Sequence, residues 1–154
     1  MSKRDRVAKK ITIGRKDKAQ FPEFGFKDIG IKMDTGAYTS AIHCHEIRLN
    51  KIDGRDHVIF KLLDPSHAQY QDKEISTDNF HLKRIKNSFG ISEKRFVIET
   101  SIRLFKKDFP IQLSLSQRGE MKFPVLIGRR FLMGQFIVDS SKYDLSYKNL
   151  KNKL

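Results

Sequence analysis

From Phe109 to Ser116 apolar and polar residues alternate without a break: Phe109, Ile111, Leu113 and Leu115 against Pro110, Gln112, Ser114 and Ser116. A period of two sets the two groups on opposite faces of an extended strand; a helix would scatter them around its axis. Val58, Phe60 and Leu62 read the same way. So does 95–104, with Phe96, Ile98, Ile102 and Leu104 on one face. Shorter candidates lie at 11–13, 29–33, 42–49, 125–127 and 136–138. Turn signals separate them at Asp53-Gly54, Asp64-Pro65, Phe89-Gly90 and Arg118-Gly119. Many short strands with frequent turns predict a small all-β barrel or sandwich. One short helix is expected over 129–133, and an irregular polar excursion over 64–80. There is no internal repeat and no low-complexity segment.

A chain of 154 residues matches one domain and can bury a core without staples. No run of about eighteen apolar residues predicts a membrane span. The N-terminus, Met-Ser-Lys-Arg-Asp-Arg, has no apolar segment behind it, so no secretory signal is expected. Cys44 is the sole cysteine. It cannot form an internal disulfide or a multi-thiolate zinc cage, and a reducing, cytoplasmic setting fits.

Net charge is +13. Residues 1–20 hold eight basic and two acidic groups, and residues 141–154 hold four and one. The excess therefore concentrates in two ends, which divides the chain into a basic tail (1–9), a body (10–141) and a second basic tail (142–154). Such ends serve either solubility or an electrostatic hold on an acidic macromolecule. No helix-turn-helix or RNA-recognition aromatic motif accompanies them.

The chemically informative stretch is Ile31-Lys32-Met33-Asp34-Thr35-Gly36-Ala37. A largely apolar strand runs into Asp-Thr-Gly. Apolar flanks are expected to bury the Asp34 carboxylate and make it costly to ionise. Gly36 would let the backbone turn sharply, and Thr35 supplies a short anchoring hydroxyl. An Asx-type turn at a strand end uses the same residues, so the motif alone leaves both readings open. About ninety residues later comes Phe123-Pro124-Val125-Leu126-Ile127-Gly128-Arg129-Arg130-Phe131-Leu132, an apolar strand, Gly-Arg, then a short apolar turn.

Taken in order on a β-rich chain, the two segments resemble the aspartic proteases of the retropepsin type. The longer run Met33 to His43, and Arg84-Ile85-Lys86-Asn87-Ser88-Phe89-Gly90 followed by Arg95-Phe96-Val97-Ile98, resemble a bacterial branch of that clan historically labelled "ATP-dependent zinc protease". Its members are associated with ATP-grasp ligases that add glutamate to a small-subunit ribosomal protein. The resemblance implies a retropepsin-like barrel with a flap hairpin. It implies Asp34, Thr35 and Gly36 as the catalytic loop. Ala37, Tyr38, Asn87, Ser88, Phe89 and Gly90 would contact substrate, with Gly128 and Arg129 in support. With one Asp-Thr-Gly per chain, it also implies a homodimer in which each chain supplies Asp34. An acidic or glutamate-tailed peptide is the implied substrate, and a glutamate ligase or ribosomal protein an implied partner.

The label's zinc and ATP find no support in the residues. There is no His-Glu-x-x-His helix and no Gly-rich phosphate loop ending in Gly-Lys-Ser/Thr. No metal or cofactor is expected. His43-Cys44-His45 offers at most two converging ligands on a strand, because Cys44 points away from the histidines. His57, His67 and His81 are scattered. Viral retropepsins carry an acidic residue after Asp-Thr-Gly-Ala that pairs with the Arg of Gly-Arg. Here that position is Tyr38, so Arg129 must find another partner. Two rival readings stay open: a non-catalytic binding or regulatory module on the same fold, and a basic ribosome- or RNA-associated barrel.

Overall fold

The computed structural model describes residues 9–86, 89–117 and 122–151. Its elements are β1 (Ile11–Gly14), β2 (Lys16–Phe21), β3 (Phe26–Asp34), β4 (Ser40–Ile52), β5 (Arg55–Leu62), β6 (Ile75–Thr77), β7 (Phe80–Lys86), β8 (Ser92–Leu104), β9 (Lys107–Ser116), β10 (Val125–Gly128), α1 (Arg129–Leu132), β11 (Phe136–Asp139) and α2 (Leu145–Lys151). A 3-10 turn, Pro22–Phe24, joins β2 to β3.

Strands pair in the order β10-β3-β2-β8-β9-β4, and β4 returns to pair with β10. The sheet thus closes on itself as a six-stranded barrel, which leaves those strands no open edge. Apolar side chains from alternate positions fill it: Phe21, Ile29, Ile31, Ile42, Ile98, Ile102 and Leu113 are all at or below 1% exposure. Burying each such side chain is worth about 1.5–3 kcal/mol. Phe109, Phe131 and Phe136 pack as a triplet with ring centroids 5.3–6.0 Å apart, tying α1 to β9 and β11.

Two long strands carry additions beyond the barrel. The outer half of β4 pairs with β5 through the Asp53-Gly54 turn, where both residues take positive φ, and β6 adds to β5. The outer half of β8 pairs with β7 as a hairpin arm. The barrel, the arm and the helix after Gly128 accord with the sequence pattern. Within the stretch expected to be irregular, Ile75–Thr77 forms an edge strand. The rest of it is tied down: Gln69, Gln71 and Lys73 donate to the carbonyls of Asp28, Gly25 and Phe24. The predicted Arg118-Gly119 turn lies outside the described residues.

A second helix, α2, joins the single one expected. It is capped by an inward-facing residue of β2. Asp17 is 2% exposed, and its carboxylate accepts from the amides of Ser146 (2.9 Å), Tyr147 (3.1 Å) and Lys18 (2.8 Å). Ser146 in turn accepts from the Phe105 amide at 2.8 Å. Burial pushes the Asp17 carboxyl above its ordinary value near 3.8, against the pull of those amides. The native state therefore holds the proton more tightly than the unfolded chain. Asp17's contribution to stability is full below 3.8 and falls away as pH rises through its native value. Asp17→Asn, which keeps one acceptor and loses the titration, should flatten this slope. Urea midpoints of both proteins across the mildly acidic range check it; parallel curves would refute it.

Candidate active site

β3 carries Ile29, Ile31 and Met33 into the core and ends on Asp34. The chain then loops through residues 35–39 and returns as β4. Between the two lies β10, parallel to β3 with Gly128 beside Asp34, and antiparallel to β4 with Val125 beside Ile42. The loop must therefore cross the C-terminal end of β10, where Gly128 and Arg129 stand. The crossing is closely stitched. The Gly128 amide donates to Ser40 Oγ (2.9 Å), the Arg129 amide to the Ala37 carbonyl (2.8 Å) and the Arg130 amide to the Tyr38 carbonyl (3.0 Å). There is no room for a side chain at 128: a Cβ there would stand 2.6 Å from the Tyr38 oxygen.

Asp34 Oδ1 accepts from the Gly36 amide at 3.1 Å, and the Ala37 amide donates to the Asp34 carbonyl at 3.1 Å. The Asx-type turn is thus present. One expectation needs correction. Asp34 is half-buried rather than enclosed, because only its strand neighbours face the core while Thr35 and Gly36 are exposed at the rim. Gly36 does not use a left-handed conformation; among the described glycines positive φ belongs to Gly25, Gly54, Gly90 and Gly134. What its missing side chain provides is clearance, since a Cβ would meet Asp34 Oδ1 at 3.3 Å.

Arg129 finds its partners in this loop. Its Nη1 donates to the Gly36 carbonyl at 3.2 Å and the Thr35 carbonyl at 3.4 Å. Its guanidinium carbon lies 5.4 Å from the centre of the Tyr38 ring. A cation–ring contact thus occupies the place of an ion pair. Lys83, on the arm strand β7, approaches the same ring at 4.9 Å and donates to Thr39 Oγ1 at 3.1 Å. No sequence motif marked Lys83, Thr39 or Ser40 for a role. A lysine inside an alternating strand reads as a solvent-facing residue until the partner surface is known. Removing the guanidinium in Arg129→Ala should cost about 1 kcal/mol, or roughly 2–4 °C in Tm, and loosen the loop. A thermal melt indistinguishable from wild type would contradict the bracing role.

At the arm's tip, Phe89 (87% exposed) and Gly90, with φ of 79°, form the turn; Asn87 and Ser88 lie outside the described residues. Leu82 and Ile91 add exposed apolar surface to the arm. A cleft of about 480 Å³ opens nearby, lined by Thr39, Ser40 and Arg130 but also by Glu23 and Glu99. Asp34 does not line it. The open rim, with Lys83 and Arg129, is the more favourable approach for an anionic chain.

His43 and His45 both turn toward the 63–64 corner: His43 Nε2 meets Asp64 Oδ2 at 2.8 Å, and His45 Nδ1 meets the Leu63 carbonyl at 2.8 Å. Ser66 gives both hydroxyl and amide to Asp64, holding that carboxyl below its usual range. Cys44 is fully buried, and burial pushes its thiol up to about 12. Among the described residues no three His, Cys, Asp or Glu side chains are grouped to hold a metal ion. None of the described helices is long and apolar enough to cross a membrane.

Comparison with known proteins adds to this geometry. The family model for the RimB-like retropepsin-like aspartic endopeptidases matches residues 12–149. A protein of Desulfotalea psychrophila named "Probable alpha-L-glutamate ligase" is 38% identical over 133 residues, and one of the same name from Shewanella pealeana is 32% identical over 133. Each match covers 86% of this chain but only 28% and 29% of the relative, so the chain spans less than a third of their length. A crystal structure of a Legionella pneumophila protein of unknown function superposes with a TM-score of 0.70 at 21% identity, covering 90% of this chain and 99% of that one. It shares the fold.

Proposed function

The chain belongs to the RimB-like family of retropepsin-like aspartic endopeptidases, and from that membership we propose that it cleaves peptide bonds as a homodimer with one Asp34 from each chain. The observation that carries this is the Asp34 loop itself. It holds one carboxylate at a solvent-open rim, in a turn stitched to Gly128, Arg129 and Arg130. That carboxylate is well positioned but chemically incomplete. Two carboxyl groups brought together cannot both ionise, so the pair shares one proton. The ionised member takes a proton from water as it attacks the scissile carbonyl. The protonated member donates to the carbonyl oxygen as negative charge develops there. Thr35 would reach across the two-fold axis, and Gly36 would admit substrate backbone. The arm, with Asn87, Ser88, Phe89 and Gly90, would close over the substrate and exclude water. No cofactor takes part.

We further propose an acidic or glutamate-tailed segment as substrate, with a glutamate ligase or a ribosomal protein as partner in the cytoplasm. The ligase names of the relatives support this, as do Lys83 and Arg129, both close to the Tyr38 ring. A second reading, a non-catalytic module that regulates a ligase, draws on the same relatives, in which the matching part is a fraction of a longer chain. Sedimentation velocity over a wide concentration range, with and without a glutamate-tailed peptide, separates the two. The peptidase reading expects a dimer, alone or driven by peptide, and cleavage products by mass spectrometry. A monomer under every condition would favour the module.

A further inference from the structure

Several of the described cations are neutralised by an acidic partner. Arg48, Arg55, Lys61, Arg95 and Arg103 each face a carboxylate. Around α2 cations face tyrosine rings instead. Arg15, Lys16 and Lys148 lie 4.9, 5.2 and 4.2 Å from the centre of the Tyr143 ring, and Lys18 lies 4.4 Å from that of Tyr147. Among the described residues none of these four cations forms an ion pair. Lys16 also stands beside Lys32 in the β2–β3 register. Of the nearby carboxylates, Asp17 is buried beneath the α2 amides and Asp139 holds Ser141 and, at 3.7 Å, Lys142, which leaves Asp144 in the turn as one carboxylate against four cations. Two backbone bonds, Arg15 amide to Lys142 carbonyl and Asp144 amide to Lys16 carbonyl, lock the two segments together, so the cluster is part of the folded surface.

Like charges gathered in excess of their counter-charges repel one another and are retained at a cost in stability. A polyanion relieves that cost. Charge alone would suit an acidic peptide as well as a nucleic acid. The rings decide between them: Tyr143 is 42% exposed between its cations, a surface on which a base can stack while flanking lysines reach phosphates. We propose that β2, the 142–144 turn and α2 form a docking face for single-stranded RNA. This stands independently of the peptidase reading.

The test is fluorescence anisotropy with a labelled single-stranded RNA of about a dozen mixed nucleotides, beside a glutamate homopeptide of matched charge. RNA should bind, with log K falling against log salt at a slope of roughly −3, as about four phosphate contacts require. A Lys18→Ala/Lys148→Ala double variant should weaken binding about tenfold and reduce the slope by about 1.4. The Lys18→Arg/Lys148→Arg variant should bind as wild type, separating charge loss from misfolding. Tyr143→Phe should retain affinity, and Tyr143→Leu should lose about tenfold. The proposal fails if RNA does not bind at low salt, if Lys18→Ala/Lys148→Ala weakens homopeptide binding as much as RNA binding, or if Tyr143→Leu is neutral.

Discussion

An Asp34→Asn variant is expected to fold as wild type and to cleave peptide on the order of 10²–10⁴-fold more slowly. Folding should survive because the asparagine Oδ1 can still accept from the Gly36 amide that holds the native carboxylate at 3.1 Å. Activity should not, because an amide can neither take a proton from water nor share one with a second carboxyl. Mixing makes the test sharper. If each site is built from two chains, a fully exchanged equal mixture of wild type and variant should keep only about a quarter of the activity of the same total protein as wild type. About half would remain if every chain worked alone. Normal cleavage by the variant would remove the mechanism altogether.

Gly128→Ala is expected to be nearly as severe for a different reason. The added methyl would stand 2.6 Å from the Tyr38 oxygen and 2.8 Å from the carbonyl carbons of Tyr38 and Thr39. These are backbone atoms, so no rotamer change gives relief. The loop must lift off β10, at a typical overpacking cost of about 1–3 kcal/mol. That corresponds to a Tm lower by roughly 2–12 °C. A displacement near one ångström at Asp34 would cost about 10²-fold in rate. Gly30→Ala provides the control. It lies on β3, the strand that ends at Asp34, but its Cβ would meet Phe123 at an ordinary 3.7 Å, so both Tm and rate should hold. Equal tolerance at 128 and 30 would refute the close-crossing account.

What could be read from the sequence follows how local each feature is. β9 and the inner half of β8, from Ile98 to Leu104, declare themselves by alternation, and in that part of β8 every second residue is buried. β2 hides, since its inward position 17 carries a carboxylate reserved for capping α2, and that breaks the apolar period. Helix α2 hides for the complementary reason: the acceptor for its first amides lies about 130 residues away, and its own lysines read as a solvated tail. At the candidate site, Asp34–Gly36 and Gly128-Arg129 were legible as contiguous runs. The passage of β10 between β3 and β4 was not, because strand pairing across ninety residues leaves no periodic trace. Lys83 and the ring of Tyr38 were joined only by the fold.

That same passage of β10 governs when the Asp34 site can come into being. Its walls come from residues 31–42 and 125–130, so most of the chain must be made before the central strand exists. Until then β3 and β4 have a vacant slot between them, and loop 35–39 has nothing to cross. Closing such a distant pairing is entropically slow and belongs late in folding. A nascent or C-terminally truncated chain would hold Asp34 in a slack turn with no hydrolytic competence. Any cleavage that rests on the Asp34 loop would thereby be withheld until β10 has been made and paired.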